Sequence, residues 1–392
     1  MSSRWARVGL VLACAALAAG CGSGSPRASG SLNGSAATRA PAVAVPLSTS
    51  LVTAQGTWAI AVMGGPAASE NSFWQLFVRP AGASQWSLAT PPGVADNGGL
   101  VAAGTGKSLV IGFRPSQDLA FSPLATSTDT GKDWAPGLLD ADLADDPGAI
   151  AVDPSGQALA LLQDGTIQTA ATAGATAAGQ WSELTTGAAL AASAPGRSCG
   201  LLGLDAVSFG VNKTPMAVGS CQRTGVAGVF IDTSGTWQSA GLTLPAEERG
   251  DQVRVLGLAA ASGGNAALLL AGDSLLAAWS HGTGWTVSAP VAGVGSGAVR
   301  ASGFGTGGSA WLLLGGGRAE TISGPGAAWQ QLPPVPPGTM TLAPAGTATL
   351  GPGGAWDALA VSGSELTVWQ LAKGAWVKAQ VIKVPIEYGS SS

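Results

Sequence analysis

Three observations predict an all-β fold, a seven-bladed β-propeller of four-stranded antiparallel blades. Tryptophan recurs at a near-constant interval, each interval holds four strand-length segments, and glycine supplies 60 of the 392 residues. Short strands joined by tight turns fit this composition. Helical repeats do not, because each glycine in a helix interior costs about 1 kcal/mol relative to alanine. We place the propeller at residues 47–388.

The repeat is marked by seven tryptophans, each following small or turn-forming residues. They are 44 to 56 residues apart, at Trp86, Trp134, Trp181, Trp237, Trp285, Trp329 and Trp376. Residues 310–330, AWLLLGGGRAETISGPGAAWQ, show one unit: an apolar strand, a glycine turn, a second strand, another turn and the tryptophan. With the segment upstream, each unit has four strands, which is typical of a propeller blade. Two β-sandwiches remain an alternative, because a period alone does not prove that a ring closes.

The N-terminus predicts export. Arg4 and Arg7 precede an apolar run at residues 8–19, which indicates a secretory signal peptide over residues 1–20. The run is too short to be a stable membrane span. Its end, LAAGC, resembles the bacterial lipoprotein signal, and this resemblance implies that Cys21 is acylated and anchors the protein to the membrane on its extracytoplasmic face. An ordinary cleaved signal with a chance cysteine is the alternative.

Residues 21–46 are rich in glycine, serine, alanine and proline, which predicts a flexible tether between lipid and propeller. Residues 389–392 form a short tail. Removal of the signal leaves 16 basic against 22 acidic groups. No basic patch for nucleic acid is visible, so nucleic acid is not expected as a partner.

Two cysteines lie within the repeat. Cys14 leaves with the signal and Cys21 is the lipid site, so Cys199 and Cys221 remain in an oxidising compartment, where a disulfide is expected. If Cys199 opens the first strand of the longest repeat and Cys221 closes the second, antiparallel pairing brings the two opposite each other. The disulfide would then staple that repeat.

The stretch STDTGKDW at residues 127–134 has a hydroxyl, an acid, a glycine and a tryptophan at fixed offsets. Ser127, Asp129, Gly131 and Trp134 match the motif S-x-D-x-G-x-x-W, and on these residues the chain resembles the Asp-box (BNR) propellers, which include sialidases, related glycosidases, sortilin-type receptors and photosystem-type assembly factors. The resemblance implies a hairpin between the outer strands of a blade, away from the binding face. An acid that accepts hydrogen bonds from its own turn is structural, and we expect no catalytic role for Asp129.

The densest group of oxygen ligands is acidic, and it consists of Asp140, Asp142, Asp145 and Asp146. Ca²⁺ can use such ligands, but the spacing of an EF-hand loop is missing, and a solvated link between blades is the simpler interpretation. No other cofactor is predicted. The single histidine, His281, excludes a multi-histidine zinc site within one chain.

Two functions remain. The favoured one is a non-enzymatic, lipid-anchored binding or scaffold module for an unknown protein, peptide or glycan at the cell envelope. The alternative is a sialidase-like or related glycoside hydrolase with two carboxylates near the propeller centre, about 5 to 9.5 Å apart. The resemblance to sialidases requires a tyrosine nucleophile, yet the only tyrosine, Tyr388, lies at the chain end. The residues around the central channel should discriminate between the two.

Overall fold

The computed structural model is an all-β protein of seven four-stranded antiparallel sheets, which confirms the predicted propeller. In every sheet the order of the strands follows the chain. The structure describes residues 49–53, 56–64, 72–91, 99–105, 108–114, 124–136, 147–172, 175, 179–210, 212–261, 263–281, 284–291, 294, 299–345 and 354–385. All of them lie in one compact unit, Thr38–Ser392.

Each blade consists of four consecutive strands. In chain order the blades are β1 (Thr49–Thr53), β2 (Gly56–Gly64), β3 (Ser72–Pro80) and β4 (Ser87–Leu88); β5 (Gly99–Thr105), β6 (Ser108–Arg114), β7 (Leu124–Ser127) and β8 (Ala135–Pro136); β9 (Pro147–Val152), β10 (Gln157–Leu162), β11 (Thr166–Ala171) and β12 (Ser182–Thr186); β13 (Leu201–Phe209), β14 (Pro215–Cys221), β15 (Ala227–Thr233) and β16 (Thr236–Ser239); β17 (Val253–Ala261), β18 (Gly264–Ala271), β19 (Ser274–His281) and β20 (Gly284–Val287); β21 (Val299–Phe304), β22 (Ala310–Leu314), β23 (Ala319–Ile322) and β24 (Gln330–Gln331); β25 (Thr339–Pro344), β26 (Trp356–Ser362), β27 (Glu365–Ala372) and β28 (Ala375–Lys383).

The seven blades form a closed ring. The first strand of each blade contacts the first strand of the next, and β25 of the last blade contacts β1 of the first. The buried apolar side chains form seven clusters, one between each pair of neighbouring blades, including the pair of the last and the first. The alternative of two sandwiches is therefore wrong. Burial of this interblade surface is the main force that closes the ring.

The junction between the last and the first blade, here called the seam, also holds a buried ion pair. Because every blade is made of its own four strands, no strand is shared across this junction. Arg79 Nη1 lies 2.6 Å from Asp357 Oδ2. The indole Nε1 of Trp86 donates to the same oxygen at 2.7 Å, and the Arg79 guanidinium carbon lies 5.3 Å from the centroid of the Trp86 ring. Gln380 accepts from the Trp86 amide and donates to its carbonyl oxygen, both at 2.8 Å.

The seven blade tryptophans all lie at the start of a fourth strand. Trp285 Nε1 donates to the carbonyl oxygen of Ala240, and Trp376 Nε1 donates to that of Pro333, at 2.9 and 3.2 Å. In both cases the acceptor follows the fourth strand of the preceding blade. Trp329 Nε1 donates to Ala289 of the preceding blade in the same way, whereas Trp181 Nε1 donates to Ala175 of its own blade. At Trp285, Trp329 and Trp376 the repeated residue thus ties one blade to the next.

Two short helices interrupt the pattern between the third and fourth blades. They are α1 (Gly187–Ala192), which is capped by Thr186, and α2 (Ala194–Cys199), which is capped by Ser193. This insert was not predicted from the sequence, and it explains the longest tryptophan interval. Single 3₁₀ turns lie at Ala246–Glu248, Thr306–Gly308 and Gly315–Gly317. Across the described ranges, no helix has the length and apolar character that a membrane span requires.

Candidate functional site

The propeller has two faces with different connections. Because strands alternate in direction, the links between blades and the connections from second to third strands lie at the end where first strands begin, here called the upper face. The connections from first to second and from third to fourth strands form the lower face. Each candidate residue can therefore be placed on one face or the other.

The Asp-box lies on the lower face, in the turn between β7 and β8. Ser127 Oγ accepts from the amide of Gly131 at 2.7 Å and donates to Asp129 Oδ1 at 2.8 Å. Asp129 in turn accepts from the amides of Lys132 and Asp133 at 3.1 and 3.0 Å. Backbone hydrogen bonding from Asp133, followed by the Ser127 hydroxyl, lowers the pKa of Asp129. An ionised acid held by its own turn has no proton to donate, so this geometry is that of a structural turn.

Gly131 fixes how the Asp-box packs. Its φ of +79° is left-handed, and a Cβ added there would lie 2.8 Å from the Trp58 ring of the first blade. The indole of Trp134 packs against the same cluster between the first and second blades. Glycine is therefore required by both the backbone and the neighbouring ring.

Other lower-face acids are also occupied by their own turns. Asp153 Oδ1 accepts from the amides of Ser155 and Gln157 at 2.8 Å, and Asp232 Oδ1 accepts from that of Gly235 at 2.7 Å. Burial opposes ionisation of Asp153, but the hydrogen bonds from Ser155 and Gln157 outweigh it, so the pKa of Asp153 is lowered. These carboxylates therefore stabilise the turns in which they lie.

The first strands surround the propeller axis, and they carry few charges. Across the seven of them the described residues hold one carboxylate, Asp205 on β13, and two arginines, Arg254 on β17 and Arg300 on β21. A glycoside hydrolase with two acids needs a second carboxylate about 5 to 9.5 Å from the first, on the other side of the bond that is cleaved. These strands do not supply it.

Asp205 connects the fourth blade to the fifth. It is the extra residue of a β-bulge between β13 and β14, and it accepts from Ser220 Oγ at 2.8 Å. The main-chain amide of Val255, on β17 of the next blade, also donates to it, and Arg254 lies near enough to stabilise its charge. Burial nevertheless raises the pKa of Asp205 above its usual value. The carboxylate thus bonds two neighbouring blades.

Of the described arginines, all but Arg79 lie at or beside the upper face, where exposed acids such as Asp251 and Asp273 also lie. Arg223 lies between β14 and β15 and Arg300 is the extra residue of a bulge at the start of β21, and both are exposed. Neither guanidinium has a partner among the described residues. Three further arginines lie in upper-face connections or beside them: Arg197, Arg249 and Arg318. By contrast, the exposed Lys132 and Lys213 lie in lower-face turns.

The helical insert also belongs to the upper face, and a disulfide holds it. Cys199 and Cys221 are bonded, with a Cα–Cα distance of 5.3 Å, which confirms the predicted disulfide. One detail of the prediction is wrong: Cys199 ends α2 and does not open the first strand. Leu201, two residues later, is the residue that pairs with Cys221 across the sheet. The reason is Gly200, whose φ of +67° ends the helix and turns the chain into β13.

Several predicted elements lie outside the described residues. These are the signal peptide at 1–20, Cys21, the tether at 21–46, Tyr388, the tail at 389–392 and the acidic group Asp140, Asp142, Asp145 and Asp146. Within the described part of the chain, no group of three or more histidine, cysteine or acidic side chains is arranged to hold a metal ion.

Sequence reasoning missed Asp205, Arg254 and Arg300 as residues of the propeller centre. Each is an isolated charge in a short apolar strand, and no motif surrounds it. Their common location follows from the arrangement of the first strands in a ring. A charged residue within the first strand of three successive repeats was the available signal.

The closed ring of seven blades defines a β-propeller protein. No protein-family model and no curated protein matches the chain. Among solved structures, it is similar to YCF48 from Cyanidioschyzon merolae, with 15% identity and a TM-score of 0.50 over 81% of this chain and 93% of that one. It is also similar to a putative 6-phosphogluconolactonase from Bacteroides uniformis ATCC 8492 (10% identity, TM-score 0.53, 84% and 97% covered) and to the periplasmic gluconolactonase PpgL of Pseudomonas aeruginosa (13%, 0.53, 84% and 97%). At these identities the likeness shows the fold alone.

Proposed function

We propose that this protein is a lipid-anchored, extracytoplasmic binding module that captures a protein partner at the cell envelope through the upper face of its propeller. The observation that carries the proposal is the gathering of arginines on that face, with Arg223 and Arg300 exposed. Arginine is enriched at protein interfaces, where lysine is depleted, and it is among the residues that dominate binding energy.

The contrast between the two faces supports this choice. On the lower face, Asp129, Asp153 and Asp232 are bonded to their own turns. A partner would have to break those bonds before it could use these acids. On the upper face a partner's carboxylates or carbonyl oxygens can bond exposed guanidinium groups without such a loss. We therefore assign binding to the upper face.

The first strands favour binding over hydrolysis. Their one described carboxylate, Asp205, bonds Ser220 and the next blade. Hydrolysis of a sialoside or β-glucan by the purified protein, abolished in Asp205→Asn, would overturn the binding assignment. The raised pKa of Asp205 makes it the right acid to change.

A pull-down from detergent-solubilised envelope tests the interaction. The full chain is compared with an upper-face variant, Arg223→Glu with Arg300→Glu, and with a lower-face control, Lys132→Glu with Lys213→Glu. Both variants change the net charge equally and both replace exposed residues. We expect the upper-face variant to lose at least tenfold of the captured partner while the control retains it. Equal capture by both variants would refute the assignment.

Anchoring is tested separately. Cys21 ends the motif LAAGC, and its acylation should retain the protein with membranes. Fractionation of cells that express Cys21→Ala should move the protein to the soluble exported fraction. Unchanged membrane retention of this variant would remove the lipid anchor from the proposal and leave the binding face unaffected.

A further inference from the structure

The exposed apolar side chains of the outer rim lie on the outermost strands of the first and the last blade. Among the described residues, the large hydrophobic side chains that stay exposed are Leu88, Val377 and Val381, at 38%, 54% and 39% of their surface. Leu88 ends β4, and the two valines lie on β28. The two hydrogen bonds between Gln380 and the main chain of Trp86 hold these outer strands side by side. An extra residue, Ala379, forms a β-bulge in β28, so Val377 lies on the face that meets the first blade, as Gln380 does, whereas Val381 lies on the face toward the sixth blade together with Lys378 and Lys383. We call Leu88 and Val377 the seam patch.

The strand that carries Val377 is unusually long for its place. β28 has nine residues, whereas the other outermost strands have two to five. It is the last strand of its sheet and pairs with β27 on one side. Its other edge therefore presents main-chain amide and carbonyl groups on both sides of the bulge at Ala379, and a further strand can pair with them there.

The charges of β28 decide what kind of strand fits. Its charged residues are Lys378 and Lys383, both exposed, and neither forms an ion pair with a described residue. A second copy of the chain would bring four lysines together along one ladder, and like charges across a ladder are destabilising. A strand with acidic side chains would instead gain from both lysines.

We propose that β28 binds an extended segment of another protein as a fifth strand of the last blade. The segment has apolar residues at alternate positions, which contact the seam patch, and acidic residues between them, which meet Lys378 and Lys383. This surface is on the outer rim and is separate from the upper face, so it goes beyond the function proposed above. The main-chain ladder supplies affinity, and the alternation of side chains supplies specificity.

Synthetic peptides of about nine residues, matched to the length of β28, serve as probes. The first alternates valine with glutamate and the second alternates valine with lysine. The third has the sequence of the first, but its alternate amides on the pairing edge are N-methylated. Calorimetric titration of the full chain should detect the first peptide. The second and third should bind at least tenfold more weakly, because they lose the charge match and the ladder, respectively.

Charge reversal in the protein provides the matched test. In Lys378→Glu with Lys383→Glu, two attractive pairs become repulsive, so the glutamate peptide should bind about tenfold more weakly and the lysine peptide more tightly. The control is Lys132→Glu with Lys213→Glu on the lower face, which should bind both peptides as the unchanged chain does. All four lysines are exposed, so the variants should fold, and thermal unfolding checks this.

Three outcomes would overturn the proposal. The first is equal binding of the glutamate and the N-methylated peptides, because a ladder cannot then be the contact. The second is an unchanged peptide preference after reversal of Lys378 and Lys383. The third is a concentration-dependent dimer of the chain in sedimentation that Val381→Lys abolishes, because the edge would then pair with a second copy. Capture of the upper-face partner should be unaffected by the reversal.

Discussion

The seam offers the sharpest test of how the ring is held closed. Arg79 and Asp357 are 278 residues apart in sequence and form an ion pair whose side chains are 9% and 0% exposed. Replacement of Arg79 by methionine keeps the apolar stem but leaves the Asp357 carboxylate buried without its cation. Removal of one partner of a buried pair costs about 3–5 kcal/mol, because the remaining charge is uncompensated.

The structure indicates how the loss of stability in Arg79→Met should depend on pH and on the charge of Asp357. Asp357 also accepts from Trp86 Nε1, so Arg79→Met does not leave the acid without a donor. Burial already raises the pKa of Asp357 although Arg79 acts in the opposite direction, and loss of Arg79 should raise the pKa further. In Arg79→Met the loss of unfolding free energy should therefore become smaller as the pH is lowered, because Asp357 takes up a proton and its charge disappears. In Arg79→Met with Asp357→Asn the charge is gone at every pH, and we expect a smaller loss of about 1–3 kcal/mol.

The assay is thermal unfolding of the full chain, followed by tryptophan fluorescence, with Arg318→Met as control. Arg318 forms an ion pair with Glu320 at 2.8 Å, but its side chain is 41% exposed. An exposed pair contributes about 0–1 kcal/mol, so the control should shift Tm by no more than about 2 °C. For Arg79→Met we expect a fall of roughly 6–10 °C at neutral pH. Equal shifts for the two variants would refute the reasoning.

Three further predictions concern the turns and the insert. Gly131→Ala should lower the free energy of unfolding by about 1–3 kcal/mol more than Gly82→Ala, because both glycines are left-handed but only Gly131 faces the Trp58 ring; urea unfolding measures this, and equal losses would contradict it. Cys199→Ser should cost about 3 kcal/mol through loss of the 22-residue disulfide loop, and a variant that unfolds at the same urea concentration would contradict it. The folded-state pKa of Asp153 is lowered, so its contribution is present above the unfolded value of 3.8 and is lost as the pH falls through the folded value. The Tm difference between the unchanged chain and Asp153→Asn should therefore disappear in acid, and a difference that persists there would contradict this assignment.

The blades could be predicted from the sequence because the residues that mark each repeat are required by its contacts and its turns. A tryptophan such as Trp285 donates its N–H to the chain just after the preceding blade, so its place in the repeat is set by the contact between neighbouring blades. Glycines such as Gly131 are equally constrained, because the turn has a left-handed backbone. Local rules of this kind leave a pattern in the sequence, and the pattern can be recognised without a structure.

Contacts between distant repeats left no such pattern. Arg79 and Asp357 lie in the first and the last blade, and neither is marked by its neighbours in sequence. The insert of α1 and α2 was missed because its alanine, serine, glycine and proline residues are also typical of a loop. The bulge that places Asp205 depends on register, which the residues of β13 do not specify alone.

Ring closure and the proposed strand site are physically linked. Gln380, on β28, holds the main chain of Trp86, whose indole bonds the buried Asp357. A peptide that pairs with β28 binds the folded ring, where the edge exists, and so must stabilise the folded state by mass action. If opening of the ring begins at the seam, the junction that no link between consecutive blades crosses, the same peptide should also slow hydrogen exchange at the Trp86 amide more than at amides of β14 in the opposite part of the ring. Uniform protection of both regions would show instead that the seam opens only together with the whole propeller.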